Sequence, residues 1–339
     1  MSATRILVVR TGALGDVVHT MPLASALRRH RPDARIGWLV ERRLAPLLRG
    51  HPAVDDVLEI ALADWRREPF ATATRRAVAS FWRVLDAFAP EIVIDAMGNH
   101  KSAALAALSG ADRRIGAARR DRREPSSALW ISEPVALVGA HAVDRAMSLL
   151  AGLGISDRSV DFGAAAILRG PPAATATPPV LIHPGAGWRN KEYPPERWGR
   201  VAGELAAARG LEVGVLAGPG EEELAAEVGR AAGGAARVVP ALTLEGLAAH
   251  LRGARILLAG DTGPLHLAAA LGTPVVCVLG PTDPARNGAY GAPESNVAHP
   301  LPCSFCYKRL DAPKACLLAI EPGELVARAG LVLDRVDSR

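Results

Sequence analysis

The stretch Ile6-Leu7-Val8-Val9-Arg10-Thr11-Gly12-Ala13-Leu14-Gly15-Asp16-Val17-Val18-His19 passes from four apolar residues through a glycine-bearing loop into a helical pattern. A short, uniformly apolar run is what a parallel strand buried on both faces requires. The same grammar recurs along the chain. Further strand-like runs are Ile36–Val40, Val57–Ile60, Ile92–Ile94, Val180–Ile182, Val213–Leu216, Arg237–Val239, Ile256–Leu258 and Val275–Leu279. Between them lie the helical patterns Val17–Arg29, Thr74–Phe88, Ser102–Leu108, His141–Leu153, Pro195–Arg209, Glu221–Ala232, Leu244–Leu251 and Pro264–Leu271. This alternation predicts an α/β protein whose parallel sheets are covered by helices on both faces.

At 339 residues the chain is about twice the ~150 residues of one average domain. The segment Arg169-Gly170-Pro171-Pro172-Ala173-Ala174-Thr175-Ala176-Thr177-Pro178-Pro179 has the composition of a linker and falls near the middle. Each half opens with a strand followed by a glycine-containing loop, so two doubly wound, Rossmann-like domains facing a central cleft are expected. The expected boundaries are 1–168, a linker at 169–179, and 180–320. A closing helix over 321–339 is expected to pack back on the first domain.

Apolar residues make up 49% and charged residues 22% of the chain, which excludes global disorder. Of 40 basic residues 36 are Arg and 4 are Lys, so a single arginine says little, while Lys101 and Lys191 are more informative. Residues 1–170 carry 24 basic and 18 acidic side chains, and the remainder 16 and 17. All the excess positive charge therefore sits in the first half, much of it in Arg113, Arg114, Arg119, Arg120, Arg122 and Arg123. Such a cluster is either a solvated loop or a face for an anionic ligand or membrane surface. Aromatic residues do not interleave with it, which disfavours nucleic acid. No apolar stretch reaches the ~18–20 residues of a membrane span. The opening residues lack a charged-then-apolar leader, and a cytoplasmic protein is expected.

Three segments carry the chemistry. In the first, Gly12 and Gly15 let the loop after the first strand turn tightly at the end of the sheet where doubly wound folds bind ligands. Asp16 sits where the helix begins, as its N-cap or as a carboxylate base. Gly12 and Gly15 lack the opening G-x-G of a dinucleotide fingerprint. The second segment, Leu181-Ile182-His183-Pro184-Gly185-Ala186-Gly187-Trp188-Arg189-Asn190-Lys191, is a strand, a glycine-rich loop and a lysine. It reads as a phosphate cradle without P-loop spacing, with Lys191 either on the anion or in solvent. The third, Ala259-Gly260-Asp261-Thr262-Gly263-Pro264-Leu265-His266, starts a helix at Thr262 and Gly263. Its free amides suit a diphosphate, and Asp261 suits a cap or a sugar hydroxyl. No Asp-x-Asp triplet occurs, so a metal-bridged diphosphate is not expected.

In this order the three segments resemble glycosyltransferase family 9, the lipopolysaccharide heptosyltransferases, and most of all the heptosyltransferase I branch. Asp95-Ala96-Met97-Gly98, Lys101-Ser102-Ala103, Arg123-Glu124-Pro125, His141-Ala142-Val143-Asp144-Arg145 and Gly288-Ala289-Tyr290-Gly291 agree, and the likeness runs from about residue 5 to 291. The resemblance implies a GT-B fold and a metal-independent, inverting transfer with no cofactor. Its donor would be ADP-L-glycero-D-manno-heptose and its acceptor a Kdo sugar of lipid A, at the cytoplasmic face of the inner membrane as a peripheral protein. By resemblance Asp16 is the catalytic base. Lys191, Thr262 and Gly263 match diphosphate-binding positions, Glu221 the adenosine ribose carboxylate, and Asp261 a heptose-binding position, with His266 in the same motif. Thr11, Gly12, Arg66, Arg67, Lys101 and Arg123 fall on the acceptor side.

The sequence departs from the branch at Pro302-Cys303-Ser304-Phe305-Cys306-Tyr307-Lys308-Arg309 and Cys316, and Met97 stands where many relatives have glutamine. The three cysteines are either reduced structural residues or, with His299 nearby, zinc ligands. The alternatives are heptosyltransferase II or another core transferase, a nucleotide-sugar 2-epimerase on a similar fold, which would need neither an acceptor nor a basic first half, and a non-catalytic nucleotide-sugar binder, against which Asp16 together with Lys191 and Asp261 argues.

Overall fold

The structure, a computed structural model, describes residues 3–164, 179–313 and 315–338. Two compact units, Met1–Leu168 and Arg169–Arg339, divide the chain. Apart from Pro179, the expected linker lies outside the described residues.

The first unit runs β1 Arg5–Val9, α1 Leu14–His30, β2 Arg35–Glu41, β3 Asp56–Ile60, α2 Leu62–Arg67, α3 Thr72–Phe88, β4 Ile92–Asp95, α4 His100–Leu108, β5 Arg113–Ala117, β6 Glu133–Val135 and α5 Ala142–Met147. Its six strands are parallel in the order β3-β2-β1-β4-β5-β6. The second unit runs β7 Val180–His183, α6 Pro195–Arg209, β8 Val213–Val215, α7 Glu222–Ala231, β9 Arg237–Val238, α8 Leu244–Gly253, β10 Ile256–Gly260, α9 Gly263–Ala270, β11 Val275–Val278, α10 Pro284–Asn287, β12 Asn296–Val297, α11 Ala315–Leu318 and α12 Pro322–Asp337. Its order, β12-β11-β10-β7-β8-β9, is the same winding met a second time. In each sheet the strand order reverses beside the first strand, between β1 and β4 and between β7 and β10. Ligands of such sheets bind at the carboxyl ends of the strands at this switch point.

The apolar runs form strands because both of their faces are covered: Ile6 to Val9, Val180 to Ile182 and Ile256 to Ala259 are all buried. Three strands lay outside the expectation. β5 opens on Arg113 and Arg114, whose charge hides it; Arg113 pairs with Glu133 of β6 at 2.6 Å, and Arg114 Nε donates to the Trp130 carbonyl at 2.9 Å. Part of the basic cluster therefore stitches the sheet edge, while Arg119, Arg120 and Arg123 remain exposed. Helix α12 buries Leu325, Ala329, Val332 and Leu333 in the core of its own unit.

In the first unit His51 is buried, with Nδ1 accepting the Ala53 N–H at 3.1 Å. Burial pushes its imidazole down to about 4, against a partial upward pull from the Phe162 backbone. A histidine kept neutral in this way stabilises the fold fully above its unfolded value of ~6.5 and progressively less as the pH falls toward 4. We expect this group to make the protein about 2 kcal/mol less stable at pH 5 than at pH 7. Urea unfolding at the two pH values, with His51→Gln alongside, tests this: equal pH dependence in both proteins would contradict it.

Candidate active site

The first unit's switch point brings together the loops after β1 and β4. The register sets Val9 opposite Asp95, so Arg10 to Gly12 run beside Ala96 to Gly98. Arg10 donates through one guanidinium nitrogen to the Ala96 carbonyl and through the other meets Asp16 Oδ1 at 2.6 Å. Asp16 stands in the first turn of α1, three residues past the N-cap Ala13, and its Oδ2 accepts the Ala13 N–H at 3.1 Å. It is thus not the N-cap. The helix terminus favours the negative charge there. The carboxylate is held at both oxygens yet 46% exposed, which suits a group that must meet a ligand.

Thr11 is buried, and both its N–H and its hydroxyl point at the Met97 sulfur, at 3.4 and 3.3 Å. Beneath them, Asp95 and Arg122 form an ion pair at 2.5 Å with both side chains wholly buried. Asp95 Oδ1 accepts the N–H groups of Met97 and Gly98, and Arg122 Nε donates to Ser127. This pair ties the β4–α4 loop to the segment that carries Arg123, and the sequence reading missed it. Lys101, in the first turn of α4, and Arg123 are exposed beside that loop. Arg66 and Arg67 close α2, which follows β3 at the same end of the sheet. Both are exposed, and Arg67 is 3.5 Å from Asp64.

In the second unit the register sets Ala259 opposite His183, so the loops after β7 and β10 meet. Lys191 Nζ lies 2.8 Å from Asp261 Oδ2, with side chains only 11% and 8% exposed. His266, one turn into α9, donates from Nε2 to Asp261 Oδ1 at 3.1 Å. Burial by itself pushes the Asp261 carboxyl up, but the His266 hydrogen bond and the Lys191 charge outweigh it and hold the group well below the usual carboxylate range. The N-cap residue Thr262 makes no side-chain bond to the start of α9. The amides of a helix start and its positive end suit an anion.

Glu221 lies at the start of α7, between two glycines. A Cβ on Gly185 would fall 2.1 Å from its carboxyl carbon, and one on Gly218 would fall 2.6 Å from Oε2. Oε2 accepts the Gly218 N–H at 2.9 Å and faces His183 Nε2 at 3.3 Å. Burial raises this carboxyl, and His183 followed by the Gly218 N–H brings it below the ordinary value. Both loops approach so closely because glycine leaves the carboxylate its space. His183 escaped the sequence reading, although its place at the end of β7 was visible.

The three cysteines do not assemble a metal site: among the described residues no group of three His, Cys, Asp or Glu side chains could hold an ion. Cys316 is buried, its sulfur 3.3 Å from where a Cβ on Gly280 would stand, whereas Cys303 is exposed. His299 lies 2.7 Å from Glu324.

The sequence profile of glycosyltransferase family 9 (heptosyltransferase) matches residues 78–316. The chain is 35% identical over 316 residues to lipopolysaccharide heptosyltransferase 1 of Pseudomonas aeruginosa, covering 90% of this chain and 86% of that protein. With lipopolysaccharide heptosyltransferase 1 of Escherichia coli K12 it shares 34% identity, covering 85% and 91%. The solved E. coli heptosyltransferase WaaC with ADP is similar in structure, with a TM-score of 0.77 at 32% identity over 87% of this chain and 92% of that one. The two parallel six-stranded sheets with their helices match the GT-B architecture of that structure. On sequence and fold together, the chain belongs to glycosyltransferase family 9, the heptosyltransferases.

Proposed function

We propose that the protein is an inverting, metal-independent heptosyltransferase. It moves L-glycero-D-manno-heptose from ADP-heptose to a Kdo sugar of lipid A in lipopolysaccharide inner-core synthesis. The observation that carries this reading is the buried Lys191–Asp261–His266 group at the switch point of the second sheet, beside the start of α9. Relatives named lipopolysaccharide heptosyltransferase 1 support heptose transfer, and an E. coli WaaC structure with ADP-2-deoxy-2-fluoro heptose at 31% identity supports the choice of donor.

In this mechanism Asp16 takes the proton of the acceptor hydroxyl as its oxygen attacks the anomeric carbon. The bond from that carbon to the ADP oxygen breaks on the opposite face, and its electron pair leaves with the diphosphate. Lys191 and the amides at Thr262 and Gly263 receive the developing charge. Asp261, oriented by His266, holds the sugar, and Glu221 accepts the ribose hydroxyls. Thr11, Gly12, Arg66, Arg67, Lys101 and Arg123 meet the acidic acceptor.

We also assign a peripheral position on the cytoplasmic face of the inner membrane, where the lipid acceptor resides. Among the described residues no helix is long and apolar enough to cross a membrane. Exposed Phe70 and Leu129, 81% and 89% accessible, stand a few residues in sequence from Arg67 and Arg123 and suit an anionic surface.

Release of ADP from ADP-heptose, measured with and without deacylated Kdo–lipid A, tests the transfer. Acceptor-dependent release is the expected result. ADP-heptose binding without release on this acceptor would refute the Kdo assignment. Release at the same rate without acceptor would refute transfer altogether.

A further inference from the structure

The segment Pro302–Arg309, where the sequence leaves the heptosyltransferase I pattern, is fastened at several points to the second unit. The Tyr307 N–H donates to the Pro281 carbonyl at 3.1 Å, and its hydroxyl donates to Asn287 Oδ1 at 2.8 Å. One residue on, the Lys308 carbonyl accepts from Asn190 Nδ2 at 2.8 Å. Asn190 is fully buried and directly precedes Lys191, so this bond ties the segment to the donor loop itself. Phe305 and Tyr307 take left-handed backbone angles, φ 56° and 52°, which non-glycine residues rarely adopt without surrounding constraint.

These fastenings bring Arg309 to Trp188. Its guanidinium carbon lies 5.0 Å from an indole ring centroid, the same distance as Lys191 Nζ. The two cations are therefore separated by no more than twice that length, and one aromatic ring orders both. Their charge balance differs. Lys191 is matched by Asp261 at 2.8 Å, whereas Arg309 is in no ion pair among the described residues.

A nucleoside diphosphate brings at least two negative charges, and the Lys191–Asp261 pair is neutral as a unit. The start of α9 adds about half a positive charge. A further cation is needed to balance the ligand, and a guanidinium fork is suited to bind phosphate oxygens two at a time. We propose that Arg309 is that cation: it binds the donor's diphosphate together with Lys191, which makes the cysteine-bearing segment a wall of the donor site. The proposal rests on reading Lys191 and Asp261 as donor-binding groups. Trp188 contacts both positive side chains, and the Asn190 bond to the Lys308 carbonyl ties the two backbone segments together.

Calorimetric titration of ADP and of AMP into the wild type, Arg309→Ala and Arg309→Lys tests it. Loss of a charge-assisted phosphate contact is expected to weaken ADP binding about 10- to 100-fold in Arg309→Ala. AMP, which lacks the second phosphate, should lose much less, so the ADP-over-AMP preference collapses. Arg309→Lys should fall between, because the charge stays while the fork is lost. Equal weakening of both nucleotides would mean that Arg309 only supports Trp188, and would overturn the proposal. So would wild-type ADP affinity in Arg309→Ala. Failure of the wild type to bind ADP would instead remove the donor reading, and this inference with it. Arg309 is exposed, and should the alanine variant not fold, Arg309→Gln carries the same comparison.

Discussion

An Asp16→Asn enzyme is expected to lose about 10²- to 10⁴-fold in turnover, the range that positioned general bases supply. It should bind ADP within about twofold of the wild type, because in the proposed mechanism the side chain acts on the acceptor proton and not on donor affinity. Asparagine is the informative replacement. Its amide oxygen can still accept the Ala13 N–H that Asp16 Oδ2 now accepts at 3.1 Å, so the turn into α1 is kept. What disappears is the proton-accepting charge and the contact with Arg10 at 2.6 Å. Two measurements separate the outcomes: single-turnover rates with both substrates saturating, and ADP affinity by calorimetry. A rate within tenfold of wild type would place the base elsewhere. An intact rate with lost ADP affinity would make Asp16 a donor residue.

Most of the fold could be read in the sequence because buried parallel strands leave a plain trace: Ile6–Val9 and Ile256–Ala259 are apolar without interruption and buried without exception. β5 was hidden because its first two residues are arginines whose partners, Glu133 and the Trp130 carbonyl, lie 20 and 16 residues further along. β12 is too short, at Asn296–Val297, to leave any pattern. The candidate site divides in the same way. Asp16 stands in a local motif next to the end of β1, and Lys191, Asp261 and His266 stand in motifs that follow β7 and β10, where the topology of the second sheet joins those three. The burial of Arg122 among six clustered arginines was invisible, since its partner Asp95 is 27 residues away, at the end of β4. Cysteine spacing misled for a related reason. Spacing says nothing of direction, and α11 turns Cys316 into the interior while Cys303 stays in solvent.

That hidden pair gives the largest expected effect on stability. Asp95 and Arg122 are both wholly buried, at 2.5 Å, so removing either partner leaves a charge in a dry interior. Asp95→Leu and Arg122→Met should each destabilise the protein by about 3–5 kcal/mol. The double variant should recover most of that loss, because two apolar side chains of similar volume replace a desolvated pair at little net cost. Recovery of stability is not recovery of the loop, however. Asp95 Oδ1 also accepts the Met97 and Gly98 N–H groups, and no leucine can do so. Met97 in turn receives both polar hydrogens of Thr11, a residue of the proposed acceptor site. The double variant is therefore expected to unfold near the wild-type urea midpoint yet keep a raised KM for the Kdo acceptor, with ADP affinity unchanged. Single variants within about 1 kcal/mol of wild type would show that the pair is not isolated from water, since exposed pairs contribute no more than that. A double variant with wild-type acceptor kinetics would show that the pair stabilises the unit without shaping its acceptor loop.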